Sequence, residues 1–282
     1  MLNIYSIFNT DWFLRISKVV LMSEKKFNVG LVLSGGGTRG FAHLGIIQAL
    51  NEAGIFPDII SGSSAGALAG VFYCDGYSPQ EVLNIMNNQS RYLYLRPAMP
   101  RDGLLQISGF EKILRDNLKA RTFEELKVPL VVAATDINNG KAVYFSSGKL
   151  IEPLIASSSI PVLFKPVVID DISYVDGGVL DILPVKPIEN LCRLLIGSYV
   201  NPVGYEPKLT GLVQIAQRSF ILSMSKEVNQ KTHKFNLYVE PLELKNFGVL
   251  DMQEADAVFD IGYKAAKEKL RSREYQKVFN LL

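Results

Sequence analysis

From residue 28 onward, short apolar runs alternate with longer stretches whose apolar residues recur at helical spacing. Val29-Gly30-Leu31-Val32-Leu33 has the length and continuity of a buried strand. Residues 41–53 follow as a helix, and Gly54 stands where a helix end takes a left-handed residue. Residues 58–61 predict a second strand, and Ala67-Leu68-Ala69-Gly70-Val71-Phe72 a second helix. Ser78-Pro79-Gln80-Glu81 is a capping box with proline at the first helical position, so a third helix starts there. Ser108 with Glu111, and Thr122 with Glu125, repeat that start signal. Residues 128–135 are the strongest strand signal of the chain. Shorter strands are predicted at 142–145, 166–169 and 172–175, the last two joined as a hairpin at Asp170-Asp171. Strands at 194–200 and 235–239 and helices at 210–230 and 254–270 complete the pattern. Alternation of this kind predicts an α/β fold, a three-layer α/β/α sandwich on a mostly parallel central sheet.

No repeat, low-complexity tract or long linker divides residues 25–282, which read as a single domain. A chain of 282 residues, 48% of them apolar, supplies one sizeable core. Residues 1–24 stand apart as an extension. They are apolar-rich, but Asp11, Arg15 and Lys18 interrupt them, which suits neither a signal peptide nor a membrane span. Two readings stand: a poorly ordered segment ahead of a start at Met22, or an interfacial helix offering Trp12, Phe13 and Ile16 to lipid or to a partner. A formal charge of +2 without a Lys/Arg block argues against nucleic acid and is compatible with an anionic lipid surface. Cys74 and Cys192 have neither the number nor the spacing of a metal site or disulfide framework. They fit packed thiols in a reducing compartment, and the chain is expected to be cytoplasmic or peripheral at a membrane.

The candidate chemistry lies at the ends of the first two strands. Gly62-Ser63-Ser64-Ala65-Gly66 is a G-x-S-x-G pentapeptide between a strand and a helix, the setting of a nucleophile elbow. Ser64 is the candidate nucleophile, Ser63 its rival, and Gly62 and Gly66 leave room for strand and helix to approach. Ser34-Gly35-Gly36-Gly37-Thr38-Arg39-Gly40 also joins a strand to a helix. Gly35-x-Gly37-x-x-Gly40 matches a dinucleotide-binding fingerprint, but Asp58, the acid at the right distance, begins the second strand instead of ending it. The alternative is a set of backbone N–H groups, at the positive end of a helix dipole, aimed at an oxyanion.

A serine nucleophile needs a base. His43 lies on a helix side shared with Ile47 and Leu50 and reads as packed; His233, in Lys231-Thr232-His233-Lys234, reads as solvated. Asp176 ends an apolar strand at Asp176-Gly177-Gly178, where it is either a ligand-facing carboxylate or a turn residue. Asp170, Asp171 and Asp181 are the rival carboxylates.

With these residues in view, the chain resembles the patatin-like phospholipases. Three motifs carry the resemblance in order: Gly35-Gly36-Gly37-Thr38-Arg39-Gly40, Gly62-Ser63-Ser64-Ala65-Gly66 and Asp176-Gly177-Gly178. Ala134-Thr135-Asp136, Phe145-Ser146-Ser147-Gly148 and Ala156-Ser157-Ser158-Ser159-Ile160-Pro161 are similar as well. The resemblance implies a patatin-like fold and a lipid acyl hydrolase that cleaves carboxylic esters of (lyso)phospholipids or related acyl esters. It implies a Ser-Asp dyad of Ser64 and Asp176, an acyl-enzyme intermediate, and an oxyanion hole drawn from residues 35–40 and Ala65, without metal or cofactor. Arg39 is either a phosphate or oxyanion partner or an anchor of its loop. Arg91-Tyr92-Leu93-Tyr94-Leu95-Arg96-Pro97-Ala98-Met99-Pro100-Arg101 either flanks the pocket mouth or is a packed connection. Three rivals remain: an idle lipid-binding module on the same fold, a nucleotide-dependent enzyme, and an esterase with a histidine triad.

Overall fold

The computed structural model describes residues 25–89, 108–205, 209–249, 254–272 and 275. The amino-terminal extension and residues 91–101 lie outside the described residues. The sheet comprises β1 (Phe27–Leu33), β2 (Ile59–Ser63), β3 (Leu130–Asp136), β4 (Lys141–Phe145), β5 (Val167–Ile169), β6 (Ile172–Asp176), β7 (Cys192–Ser198) and β8 (Leu237–Val239). Its order is β5-β6-β3-β2-β1-β7-β8, with β4 also on β3. The run β3-β2-β1-β7-β8 is parallel, and β4, β5 and β6 add antiparallel pairings. The helices are α1 (Phe41–Glu52), α2 (Ala65–Cys74), α3 (Pro79–Gln89), α4 (Ser108–Asn117), α5 (Ile151–Ser157), α6 (Leu212–Lys231) and α7 (Ala255–Arg271).

Successive side chains of the central strands part to opposite faces, as a pleated strand requires. Leu31, Leu33, Ile60, Leu130, Val132 and Ile196 face the core shared with α1 to α5 and α7. Their neighbours Val32, Ile59, Val131 and Leu195 face a second core with residues 182–188 and with Met224 and Val228 of α6. Both faces are therefore covered, and the near-continuous apolar runs of β1 and β3 follow from that double burial.

Two local expectations failed. The start signal at Thr122 opens only one 3-10 turn, Phe123–Glu125. Glu125 accepts the Arg121 N–H, and Leu126 is already extended, because the chain must enter β3 four residues later. Helix α5 was not anticipated: seven residues with Pro153 in the first turn, buried on nearly every side, leave no amphipathic period to read. The hairpin at Asp170-Asp171 is as expected, with φ of 49° and 63° at the two turn residues.

One feature of the sheet places the site. Residues 134–136 of β3 pair with both β4 and β6, and residues 132–133 with both β2 and β4. A strand has two edges, so β2 and β6 share the edge that β4 leaves open. Strand β2 runs parallel to β3 and stops at Ser63, opposite Ala133. Strand β6 runs antiparallel and stops at Asp176, opposite Ala134. Their carboxyl ends thus meet head-on along one edge.

Candidate active site

Strand β2 ends at Ser63 and α2 begins at Ala65, leaving Ser64 alone in the turn at φ 50°, ψ −124°. A non-glycine residue held there costs on the order of 1–3 kcal/mol, so its surroundings must enforce it. Gly66 is one constraint: a Cβ on it would lie 2.4 Å from the Leu33 carbonyl oxygen, so α2 can start directly against the end of β1 only with glycine here. Hydrogen bonds supply the rest. The Ser64 N–H donates to Ser157 Oγ at 2.8 Å, the Ser157 hydroxyl donates to the Ala133 carbonyl at 2.6 Å, and the Ser64 carbonyl accepts from Leu68 N–H at 3.0 Å. Ser157 was not singled out in the sequence; its only signal was membership in the Ala-Ser-Ser-Ser segment. Ser64 lines two cavities, whereas Ser63 lines neither and its buried hydroxyl has no hydrogen-bond partner among the described residues.

Asp176 is 2% exposed and its backbone is pinned on both sides: its N–H donates to the Ser159 carbonyl at 2.9 Å and its carbonyl accepts from Thr135 Oγ1 at 3.0 Å. Its carboxylate accepts the Gly178 N–H at 2.7 Å, and the Ser64 side chain lies near enough to favour its charged form. Burial pushes its pKa up to about 6, against the opposing pull of Ser64 and then Gly178. A carboxylate is thereby poised to gain or lose a proton near neutrality beside a hydroxyl. The rival carboxylates are elsewhere. Asp170 and Asp171 form the hairpin turn, and Asp181 is bound by Lys231 Nζ at 2.6 Å and the Tyr144 hydroxyl at 2.7 Å.

The glycine loop divides into spent and open amides. Gly35 N–H donates to Ile182, Thr38 N–H to Val249 (3.0 Å) and Arg39 N–H to Gly36, so the expectation that all of residues 35–40 offer donors is corrected. Gly36 and Gly37, before and at the start of the 3-10 turn Gly37–Gly40, have no such acceptor among the described residues and line the larger cavity with Ser64. Ala65, the first residue of α2, lines the smaller one. Gly40 has a packing role, since a Cβ there would meet the Ala65 methyl at 2.6 Å. The Arg39 side chain donates through Nε to the Phe247 carbonyl at 2.9 Å, and Thr38 Oγ1 donates to the Gly248 carbonyl at 2.8 Å. Residues 247–249 therefore clamp the loop through three successive carbonyls.

The histidines stay out of the site. His43 is fully buried, bridging Ser198 Oγ (2.7 Å) and the Ser34 carbonyl (2.8 Å), and burial holds its pKa down to about 4. With Nε2–H donated to Ser34, neutral His43 accepts the Ser198 hydroxyl at Nδ1. His233 is exposed. Asp58 accepts the N–H groups of Asn28 and Val29, at the amino end of β1, the end opposite the glycine loop.

The two cavities at Ser64 are apolar. The larger, about 490 Å³, is lined by Ile160, Val162, Leu163, Leu212, Ile221 and Met224 together with Asp176 and Asn201. The smaller, about 120 Å³, runs between helices past Phe41, Leu44, Leu68, Val82, Met86 and Phe110. Asn201 Nδ2 holds the Gly35 carbonyl at 2.7 Å, a second supporting residue that the sequence did not disclose. Among the described residues, no three His, Cys, Asp or Glu side chains converge as metal ligands.

A model of the patatin-like phospholipases matches residues 31–188, more than half of the 282. The chain belongs to this family. The matched span holds the glycine loop, Ser64 and Asp176. An uncharacterized NTE family protein of Mycobacterium tuberculosis is 35% identical over 162 residues, 57% of this chain and 45% of that one. The lysophospholipase nte1 of Emericella nidulans is 26% identical over 284 residues, 88% of this chain and 18% of that one. The chain thus spans less than half the length of these relatives. Among solved structures, VipD from Legionella pneumophila aligns with a TM-score of 0.51 and 16% identity, over 87% of this chain and 67% of that one, a likeness of fold alone.

Proposed function

We propose that this patatin-like domain is a lipid acyl hydrolase that cleaves carboxylic esters of (lyso)phospholipids or related acyl esters with Ser64 and Asp176 as its catalytic pair. The observation that carries the reading is a buried Ser64 beside a carboxylate whose pKa burial raises to about 6, at the junction of two apolar cavities. An acyl chain fits such walls, and excluding water strengthens each electrostatic contact at the reacting carbonyl.

In the first step Ser64 Oγ bonds to the ester carbonyl carbon while its proton passes to Asp176. The carbonyl oxygen becomes an oxyanion held by the free N–H groups of Gly36, Gly37 and Ala65, each worth on the order of 3 kcal/mol. Collapse breaks the bond to the alcohol, which leaves with the proton from Asp176. Water then attacks the acyl-serine, Asp176 accepts its proton, and the fatty acid departs as the proton returns to Ser64 Oγ. The carboxylate acts at both stages, and neither histidine is needed.

No helix among the described residues is long and apolar enough to cross a membrane. Leu212 and Val162, both on the larger cavity's wall, are exposed, as are Leu209 and Ile215. This rim would dock peripherally on a lipid surface and deliver substrate to Ser64.

A fluorophosphonate probe, which phosphonylates activated serines, tests the assignment. Purified wild type and Ser63→Ala label, and Ser64→Ala does not. Label retained in Ser64→Ala, or mapped to Ser63, defeats it. A lipid panel read by mass spectrometry with chelator present then tests hydrolysis without metal.

A further inference from the structure

A third cavity, of about 240 Å³, shares Ile221 and Val249 with the larger apolar one but has a different character. Arg39, Arg218 and Lys245 line it together with Gln214 and Asn246, and among the described residues no acidic one does. Arg39 is 7% exposed, yet its described hydrogen bond is only Nε to Phe247, and none of the three cations pairs with a carboxylate among the described residues. Arg218 is fixed by donating to the Gly204 carbonyl. The aliphatic stem of Lys245 packs against Gly204, and Lys245 lines the cavity. Burial is the largest influence lowering the Arg39 pKa; Tyr199 opposes it, and the charge of Arg218 lowers it further. Two guanidiniums held near one another, one of them buried, with no acid between them among the described residues, form a site short of negative charge.

We propose that this cavity seats a phosphate group, and that the phosphate is the headgroup of the lipid whose ester lies at Ser64. A phosphate is tetrahedral and turns its anionic oxygens toward cations on different sides, and guanidinium forks match it bidentately. The shared wall of Ile221 and Val249 sets the phosphate beside the apolar cavity, where one molecule reaching past these two residues would occupy both. Assignment of the phosphate to a lipid rests on the acyl-hydrolase reading; the anion site itself does not.

The test uses Arg218→Gln, Lys245→Gln and the double variant, none of them in the proposed catalytic machinery. Each is assayed on a lysophospholipid and on a neutral monoacylglycerol of the same chain, both below their aggregation threshold. The double variant is expected to lose about ten- to a hundredfold in kcat/KM on the phosphate ester and less than twofold on the neutral one. Equal losses on both, or none on either, overturn the headgroup assignment; the neutral ester also checks that the variants fold. A second arm needs no catalysis and titrates inorganic phosphate against thermal unfolding. A saturable rise in Tm that Arg218→Gln abolishes supports the anion site, even where the wild type hydrolyses neither ester. Such a rise without discrimination between the esters assigns the cavity to free phosphate and overturns the lipid source. Absence of both the rise and the discrimination overturns the cavity as an anion site.

Discussion

Replacing Asp176 by Asn should make the protein more stable while removing its activity. The carboxyl has an ordinary pKa of 3.8 that burial raises to about 6. A rise of that size corresponds to about 3 kcal/mol. Its sign follows from proton linkage. Between pH 4 and 6 the native protein holds a proton that the unfolded chain has released, so this group's contribution falls as pH rises and is fully unfavourable above pH 6. Asparagine keeps an oxygen to accept the Gly178 N–H and carries no charge to bury. At pH 8 the variant should unfold roughly 6 °C above the wild type, and the difference should shrink through pH 6 to near zero at pH 4. His43, held near 4 by burial, has the opposite slope, about 1.4 kcal/mol of stability gained per pH unit from pH 4 to 6.5. The two slopes offset in the wild type, and the variant exposes that of the histidine. Turnover of a soluble acyl ester should drop about 10²–10⁴-fold for loss of a general base. Differential scanning fluorimetry across pH, paired with ester hydrolysis, provides both readouts. A variant no more stable than wild type at pH 8 refutes the desolvation argument, and near-normal turnover refutes the role of the carboxylate.

Three further outcomes follow from the same geometry. Ser157→Ala strips the partner from the buried Ser64 N–H and should cost about 1–3 kcal/mol and lower kcat with little change in KM; a lower Tm with unaltered kcat would limit Ser157 to a structural role. His43→Ala should destabilise by about 2 kcal/mol or more, because it orphans Ser198 Oγ in the core, yet leave fluorophosphonate labelling of the folded fraction intact; lost labelling at unchanged Tm would revive the histidine triad. Gly66→Ala drives a methyl into the Leu33 carbonyl and should lower stability by about 1–3 kcal/mol or more, so a wild-type Tm in that variant would mean that α2 can slide away from β1.

Much of the chemistry was legible along the chain because it is local. Strand-turn-helix signals around Gly35–Gly37 and Gly62–Gly66 need only neighbouring residues, and the capping box at Ser78 and Glu81 forms as written, each bonding the backbone N–H of the other. The Asp-Asp turn likewise depends on φ preferences of two adjacent residues. What the sequence left open was how distant segments meet. From spacing alone Asp176 was either a ligand-facing carboxylate or a turn residue until β2 and β6 met head-on along β3, a register decided by pairings between residues far apart in the chain. Which loop amides remain free depends on which carbonyls pack beside them, and Val249, more than two hundred residues downstream, takes the one at Thr38. Ser157 under the elbow and the meeting of Arg39 with Arg218 and Lys245 have the same origin. Backbone preference and periodicity act over a few residues and can be read in order; hydrogen-bond satisfaction and charge balance belong to the packed core, which exists only once the chain has closed on itself.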